Sequence, residues 1–295
     1  MRIRTLKSLA VIALAAAFVA APVSAQELHK FADTSRLVSI GGSLTEIFYE
    51  LGAEDLLVAR DQTALYPEAA LSLPDVGYMR ALAPEGVLSV NPSGLLVIEG
   101  SGPPEALEVL SHAGVEYQTV PEGYSAEGVL VKVRSVGEAL GLEDKAEALA
   151  NKLEDDFAAL KTRTDAVETP KKVLFILSNQ GGQIQASGTG TAANGIIALA
   201  GAENAITEYE GYRPLSEEAI TAAAPDAILL MDRGGDHGAT ETELLEHPAI
   251  ALTPAGQNKA IYRMDGAYLL GFGPRTAAAA GELADLLYGE AAHAH

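Results

Sequence analysis

Leu82-Ala-Pro-Glu85-Gly-Val87 leads to Pro92 and then to Leu95-Leu96-Val97. The same grammar returns as Leu215-Ser-Glu-Glu218-Ala-Ile220, Pro225 and Ile228-Leu229-Leu230, every matched residue lying 133 positions later. Each copy reads as a short helix, a proline stop and an apolar strand. A looser echo joins Leu51-Gly-Ala-Glu54 to Ala200-Gly-Ala-Glu203. Coincidence between two common helix–Pro–strand units is the bland alternative. The stronger reading is an internal repeat, and so two similar lobes.

Working outward from the repeat, strands and helices alternate. Arg36-Leu-Val-Ser-Ile40 is a short apolar run ending at Gly41-Gly42, and a helix follows from Ser43 as N-cap to Leu51, stopped by Gly52. Leu56–Ala59, Leu95–Ile98 and Val115–Val120 read as strands, with Glu105–His112 helical between the last two. This is the βαβ alternation of a parallel α/β sheet. The middle differs. Ser125–Leu140 has helical spacing, Gly141 breaks it, and a second helical pattern runs from Asp144 to about Val167. In that second pattern Leu149, Leu153, Phe157 and Leu160 recur every three or four positions. Pro170 ends it and Val173–Leu177 starts a new strand.

The expected fold is therefore α/β: two Rossmann-like lobes with central, mostly parallel sheets, joined by a single long α-helix, with the ligand cleft between them. The expected divisions are a leader at 1–25, a tail at 26–35, a first lobe at 36–143, a linking helix at 144–169, a second lobe at 170–290 and a tail at 291–295. A continuous helix restrains the hinge, so the cleft should be largely preformed.

The N-terminal segment sets the expected compartment. Arg2, Arg4 and Lys7 precede an Ala-rich apolar run from Leu9 to Ala21, and Val23-Ser24-Ala25 is a small-x-small site before Gln26. That is the pattern of a secretory leader cleaved after Ala25. The run is short for a membrane span, which needs about 20 residues. No later stretch is apolar enough to span, so no membrane insertion is expected. The chain has no Cys, which excludes disulfides, thiolate nucleophiles and zinc–thiolate sites, and also a lipidated Cys anchor. A free periplasmic protein is the expectation. Loss of the leader removes three basic residues and no acids, taking the net charge from −20 to −23. Such a surface argues against nucleic acid as a partner.

Few side chains form a catalytic pattern. Ser178-Asn-Gln-Gly-Gly is not a nucleophile elbow. The six His are scattered, and His293-Ala-His295 alone has ligand-like spacing, at the frayed end of the chain. Gly188-Thr-Gly190-Thr-Ala-Ala-Asn-Gly195 runs from a strand into a helix. Its amides can receive an anion, or it is a plain strand–helix turn. Leu73-Pro-Asp-Val-Gly77-Tyr78-Met79-Arg80 is more informative. Pro74 and Gly77 make it a loop that presents Tyr78. A phenolate is a hard anionic donor suited to ferric iron, and Tyr is a known axial ligand of haem. Arg80, two residues on, lies on the same side of an extended segment, where its charge favours a phenolate or a ligand carboxylate. A loop Tyr beside an Arg is also ordinary surface packing.

From Arg36 to Tyr288 the chain resembles the periplasmic haem-binding proteins of bacterial haem ABC importers, within the helical-backbone (class III, cobalamin/siderophore-type) substrate-binding proteins. The segments that carry the resemblance are Arg36-Leu-Val-Ser-Ile-Gly-Gly-Ser-Leu-Thr-Glu46, Ala59-Arg-Asp-Gln-Thr63, Leu73-Pro-Asp-Val-Gly-Tyr-Met-Arg80, Tyr212-Arg-Pro-Leu-Ser216, Leu252-Thr-Pro-Ala-Gly256 and Leu269-Leu-Gly-Phe-Gly273. The resemblance implies that Tyr78 ligates haem iron, with Arg80 beside it. Some relatives add a histidine just after the first strand of the second lobe; the matching residue here is Asn179, which implies five-coordinate iron on Tyr78. It further implies docking to the permease through one acid per lobe, Glu85 and Glu218. Each lies near a helix start, where a first-turn acid is favoured in any case. Arg60, Tyr212, Arg213 and Phe272 are further pocket candidates, with Leu270–Phe272 as an apolar wall for a porphyrin face.

The expectation is a monomeric, non-enzymatic carrier that binds ferric haem b and delivers it to an inner-membrane ABC permease. The nearest alternative keeps the fold and changes the cargo to a ferric siderophore or cobalamin. A periplasmic hydrolase or haem-degrading enzyme, and a purely structural partner, are the rivals from other classes.

Overall fold

The computed structural model describes residues 28–232 and 240–289. The expected leader and the last tail lie outside them, as do His237, His293 and His295. The first lobe runs β1 (Leu37–Ile40), α1 (Gly42–Glu50), β2 (Leu57–Arg60), α2 (Pro84–Leu88), β3 (Gly94–Ile98), α3 (Pro104–His112) and β4 (Glu116–Val120). Its sheet has the order β2-β1-β3-β4 and every pairing is parallel. The strands β1 and β3 are buried along their whole length, as near-continuous apolar runs in parallel sheets are.

Two helices follow. In α4 (Ala126–Leu140) Ser125 caps the N-terminus by accepting from the Gly128 amide, and Gly141 ends the helix in the left-handed region at φ 68. The long helix α5 (Glu143–Thr164) packs Leu149, Leu153, Phe157 and Leu160 into the core. It touches α4 and, in the second lobe, the helices Ala192–Leu199 and Thr276–Tyr288. Gly137 makes the α4–α5 approach possible, because a Cβ there would lie 2.2 Å from the Ala146 Cβ. The helix stops at Thr164 and not at 167 or 169 as the spacing suggests. Asp165 is the C-cap, paired with Lys161 one turn back, and beyond it Pro170 disfavours the α conformation at Thr169.

The second lobe runs β5 (Lys172–Gln180), β6 (Gln183–Ser187), α6 (Ala192–Leu199), β7 (Glu203–Asn204), β8 (Tyr212–Leu215), α7 (Glu217–Ala223), β9 (Ala227–Asp232), α8 (Glu241–Glu246), α9 (Pro248–Ala251), α10 (Pro254–Gln257), β10 (Ile261–Asp265), α11 (Gly266–Leu270) and α12 (Thr276–Tyr288). Its sheet has the order β10-β9-β5-β6-β8, with β7 also pairing β5. The parallel set β7-β5-β9-β10 reproduces β2-β1-β3-β4 strand for strand. Leu95–Val97 and Ile228–Leu230 fall on β3 and β9, so the sequence repeat is a repeat of structure. The antiparallel strands β6 and β8 have no counterpart in the first sheet.

One helix start differs from the expected one. Gly41, not Ser43, is the N-cap of α1. Its φ of 121 suits glycine alone, and its amide donates to Asp61. Ser43 instead sits buried in the first turn, where its hydroxyl accepts from Lys132 Nζ at 3.3 Å. No helix among the described residues is long and apolar enough to cross a membrane.

Candidate functional site

The loop that carries Tyr78 is hung on the end of β2. The Arg60 amide donates to Pro74 O (3.0 Å), the Val76 amide to Arg60 O (3.0 Å) and the Gln62 amide to Gly77 O (2.8 Å). Beneath them Asp61 is fully buried and accepts from the amides of Gly41 and Thr63 and from the Thr63 hydroxyl. Burial pushes its carboxyl above the usual range, against the pull of those donors. Gly77 takes φ 103, a turn few other residues make. The Tyr78 and Met79 carbonyls accept from the Ala81 and Gly102 amides, each at 2.8 Å. The backbone is thus fixed while the Tyr78 side chain remains 39% exposed. Arg80 Nη1 donates to the Tyr78 hydroxyl at 3.0 Å.

Tyr78 and Arg80 face a cleft of about 960 Å³ between the lobes. It lies at the carboxyl ends of β1, β3, β9 and β10, at Gly41, Ile98, Asp232 and Asp265, with Leu177 of β5 beside them, as ligand sites of open α/β sheets do. Aromatic rings stand on both sides of it. Tyr66, Tyr78 and Tyr124 come from the first lobe, and Tyr212, Tyr268 and Phe272 from the second. Phe272 is 1% exposed and meets Tyr124 edge to face at 5.3 Å. Burial raises the Tyr124 phenol, Glu122 adding to the effect and Arg80 opposing it. Tyr212 packs edge-on against Phe175 at 6.3 Å. Leu270, Gly271 and Phe272 form one continuous stretch of wall. The turn before α6 contributes Gly190, Thr191 and Ala192, and Thr191 caps α6 by accepting from the Asn194 amide.

Three pocket candidates do not line this cleft. Arg60 is buried in the loop scaffold, donating to Ala70 O and Asp61 O and pairing with Asp75 at 3.5 Å. Its position just before the Asp61 turn commits it to holding that turn. Arg213 alternates with Tyr212 along β8, so it leaves on the other face and lies over the Tyr209 ring at 5.3 Å. Asn179 sits within β5, opposite Ile184 of β6, because the strand continues past Leu177 as a hairpin. Its Oδ1 is buried with no hydrogen-bond partner.

Glu85 and Glu218 occupy the first turns of α2 and α7, both exposed. The Glu218 carboxyl is held below its usual range by its own amide and the Ser216 hydroxyl. Among the described residues no group of three or more His, Asp or Glu is arranged to hold a metal ion.

Sequence reading overlooked several groups at the cleft. Arg275 forms a two-pronged pair with Glu46, Nε and Nη2 both 3.0 Å from Oε2. Burial raises the Glu46 carboxyl although Arg275 pulls it down. Behind the wall, Lys132 Nζ is completely buried and donates to Glu122 at 2.7 Å. Lys132 was visible as the cation on the apolar face of α4 set by Val129, Val133 and Val136, and Glu46 as an acid inside the equally apolar α1.

The family model described as periplasmic binding protein matches residues 37–268. Among solved structures, the periplasmic haem-binding protein BhuT in complex with two haems is 37% identical with a TM-score of 0.81, covering 85% of this chain and 97% of that one. The periplasmic haem-binding protein RhuT from Roseiflexus sp. RS-1, in apo form, is 36% identical with a TM-score of 0.82, covering 88% and 100%. An uncharacterized ABC transporter substrate-binding lipoprotein, YvrC of Bacillus subtilis (strain 168), is 27% identical over 259 residues, 87% of this chain and 81% of the relative.

Proposed function

The chain belongs to the periplasmic binding protein family, and from that premise we propose that it is an extracytoplasmic carrier that binds haem and delivers it to an ABC importer. The observation that carries the reading is the Tyr78–Arg80 pair at the mouth of a cleft walled by aromatic rings. Its volume lies near the top of the range for small-molecule pockets, ~300–1,000 Å³, as a macrocycle requires.

In this reading Tyr78 gives its phenolate oxygen to the ferric iron of haem b, a cargo and not a resident cofactor. Arg80 supports the anionic oxygen and stands within reach of a propionate. Tyr212 and the Leu270–Phe272 wall lie against the porphyrin, with the buried Phe272 ring backing that wall. Asn179 lies off the cleft in β5, so five-coordinate iron is the expected state. Glu85 and Glu218 meet basic residues of the permease, one on each lobe. The carrier works as a monomer, exported by a leader cleaved after Ala25, and catalyses no reaction.

Titration of the purified protein with hemin, followed by absorbance, tests this. Wild type is expected to give a ferric tyrosinate spectrum, and Tyr78→Ala to lose it along with most of the affinity. An unchanged spectrum in Tyr78→Ala removes Tyr78 as ligand. Tighter binding of cobinamide or a ferric siderophore than of hemin removes haem as cargo.

A further inference from the structure

Two polar contacts cross from the first lobe to the second at the floor of the cleft, and neither has a part in ligating iron. The first starts at Arg275, just before α12. Its amide donates to Glu46 Oε1 at 3.1 Å and its side chain grips Oε2. The guanidinium carbon also stands 3.6 Å from the centroid of the Tyr66 ring and 5.2 Å from that of Tyr268. An arginine rooted in the second lobe thus holds a helix and a wall tyrosine of the first.

The second starts at Lys132 on α4. Its ammonium donates to Phe272 O at 2.8 Å, to Glu122 Oε1 at 2.7 Å and to Ser43 Oγ at 3.3 Å. These three partners match the three donors of an ammonium. Phe272 adopts φ 47, unusual for a residue with a side chain, and its carbonyl is the atom that Lys132 holds. Between the two contacts the strap touches α1 directly: a Cβ on Gly273 would lie 3.3 Å from the Ser43 Cβ and 3.6 Å from the Glu46 Cδ. Ser43 and Glu46 are three apart on one face of α1. One short strap, Phe272–Arg275, is therefore held to α1 directly at Arg275 and, at Phe272, through Lys132 of α4, which also reaches Ser43.

Buried ion pairs add little net stability compared with apolar packing, but they fix geometry, and removing one partner is costly. Here each cation also lies beside a wall aromatic: Arg275 stands over the Tyr66 ring, and Lys132 holds the backbone carbonyl of Phe272, whose ring meets Tyr124. We infer that Arg275 and Lys132 are positioning residues, which clamp the strap to α1, fix the spacing of the aromatic walls, and so set the preference of the cleft for haem over a corrinoid. The preference half of the inference rests on the haem reading of the preceding subsection.

The test uses Arg275→Gln and Lys132→Met in the full mature chain. Binding of hemin is compared with that of cobinamide, a corrinoid thickened by axial and peripheral groups. Since the chain has no Cys, spin labels can be placed solely at Val109→Cys and Leu252→Cys, exposed by 49% and 67% on the two lobes. Each clamp variant is expected to keep the tyrosinate spectrum, because Tyr78 is untouched. The preference for hemin over cobinamide should fall by about tenfold or more, and the inter-label distances in ligand-free protein should broaden. Should Lys132→Met not fold, Arg275→Gln decides alone, since its side chain is partly exposed. Cooperatively folded variants with wild-type preference and wild-type distances overturn the inference, as does an equal loss of both ligands at unchanged distances. If the wild type binds no hemin, the cargo reading fails, and the distances still decide whether the clamp exists.

Discussion

Arg80 donates from Nη1 to the Tyr78 hydroxyl at 3.0 Å, from two residues further along the same loop. The pair is therefore set by local backbone and not by lobe closure. A guanidinium donor favours an anionic oxygen acceptor, and charge-assisted bonds of this kind contribute about 1.5–3 kcal/mol. Arg80→Ala is expected to keep the tyrosinate spectrum but weaken hemin binding by roughly tenfold, since about 1.4 kcal/mol is a factor of ten. Tyr78→Phe is expected to abolish the spectrum. Equilibrium titration of both variants checks the order of severity; a larger loss in Arg80→Ala than in Tyr78→Phe contradicts the assignment.

The Tyr78 loop depends on a carboxylate that touches no ligand. Asp61 accepts from three donors at 2.9–3.0 Å, and all three lose their partner in Asp61→Ala. An unsatisfied buried donor costs about 1–3 kcal/mol, so a loss of roughly 3 kcal/mol in urea unfolding is expected. Hemin affinity should fall as well, because the adjacent Gln62 amide holds Gly77 O. Wild-type stability in this variant would show that water replaces the carboxylate.

The repeat was legible because helix–Pro–strand units keep their spacing: 82–97 and 215–230 fall on matching elements of the two lobes. The adjacency of Tyr78 and Arg80 was legible because one loop holds both. What escaped the sequence needs contacts between distant segments. Glu46 and Arg275 are 229 positions apart, and Lys132 and Phe272 are 140 apart. No local pattern pairs such residues. Arg213 lies off the cleft because it alternates with Tyr212 along β8 and leaves from the other face, and Arg60 because it is held in the loop scaffold, neither of which a sequence segment shows by itself.

The proposed docking role of Glu85 and Glu218 gives a prediction independent of cargo. Glu85 and Glu218 lie on structurally repeated helices, exposed and in first turns, and exposed charges at an interface rim govern encounter more than the bound state. Glu85→Lys and Glu218→Lys are each expected to reduce stimulation of permease ATPase in proteoliposomes, and the double variant to abolish it, with hemin titrations tracking wild type. Raising ionic strength should weaken the wild-type stimulation in the same direction. Full stimulation by the double variant would place docking elsewhere.

The Glu46–Arg275 pair predicts a pH dependence with a definite sign. Burial already raises the Glu46 carboxyl, and Arg275 is what pulls it back. Arg275→Gln removes the pull, so the folded-state value moves further above the unfolded one. A carboxyl raised in this way gives its stabilising contribution below the unfolded value and loses it as pH rises through the folded value. The deficit of Arg275→Gln relative to wild type should therefore be largest near pH 7.5 and shrink towards pH 5, because protonation of Glu46 removes the uncompensated charge. At neutral pH a loss of about 2 kcal/mol is expected, below the range for fully buried pairs because Arg275 keeps partial solvent access. Other carboxylates titrate alike in both proteins and cancel in the difference. Urea unfolding at the two pH values measures it, and a deficit that is constant or grows on acidification contradicts a charged Glu46 at the lobe junction.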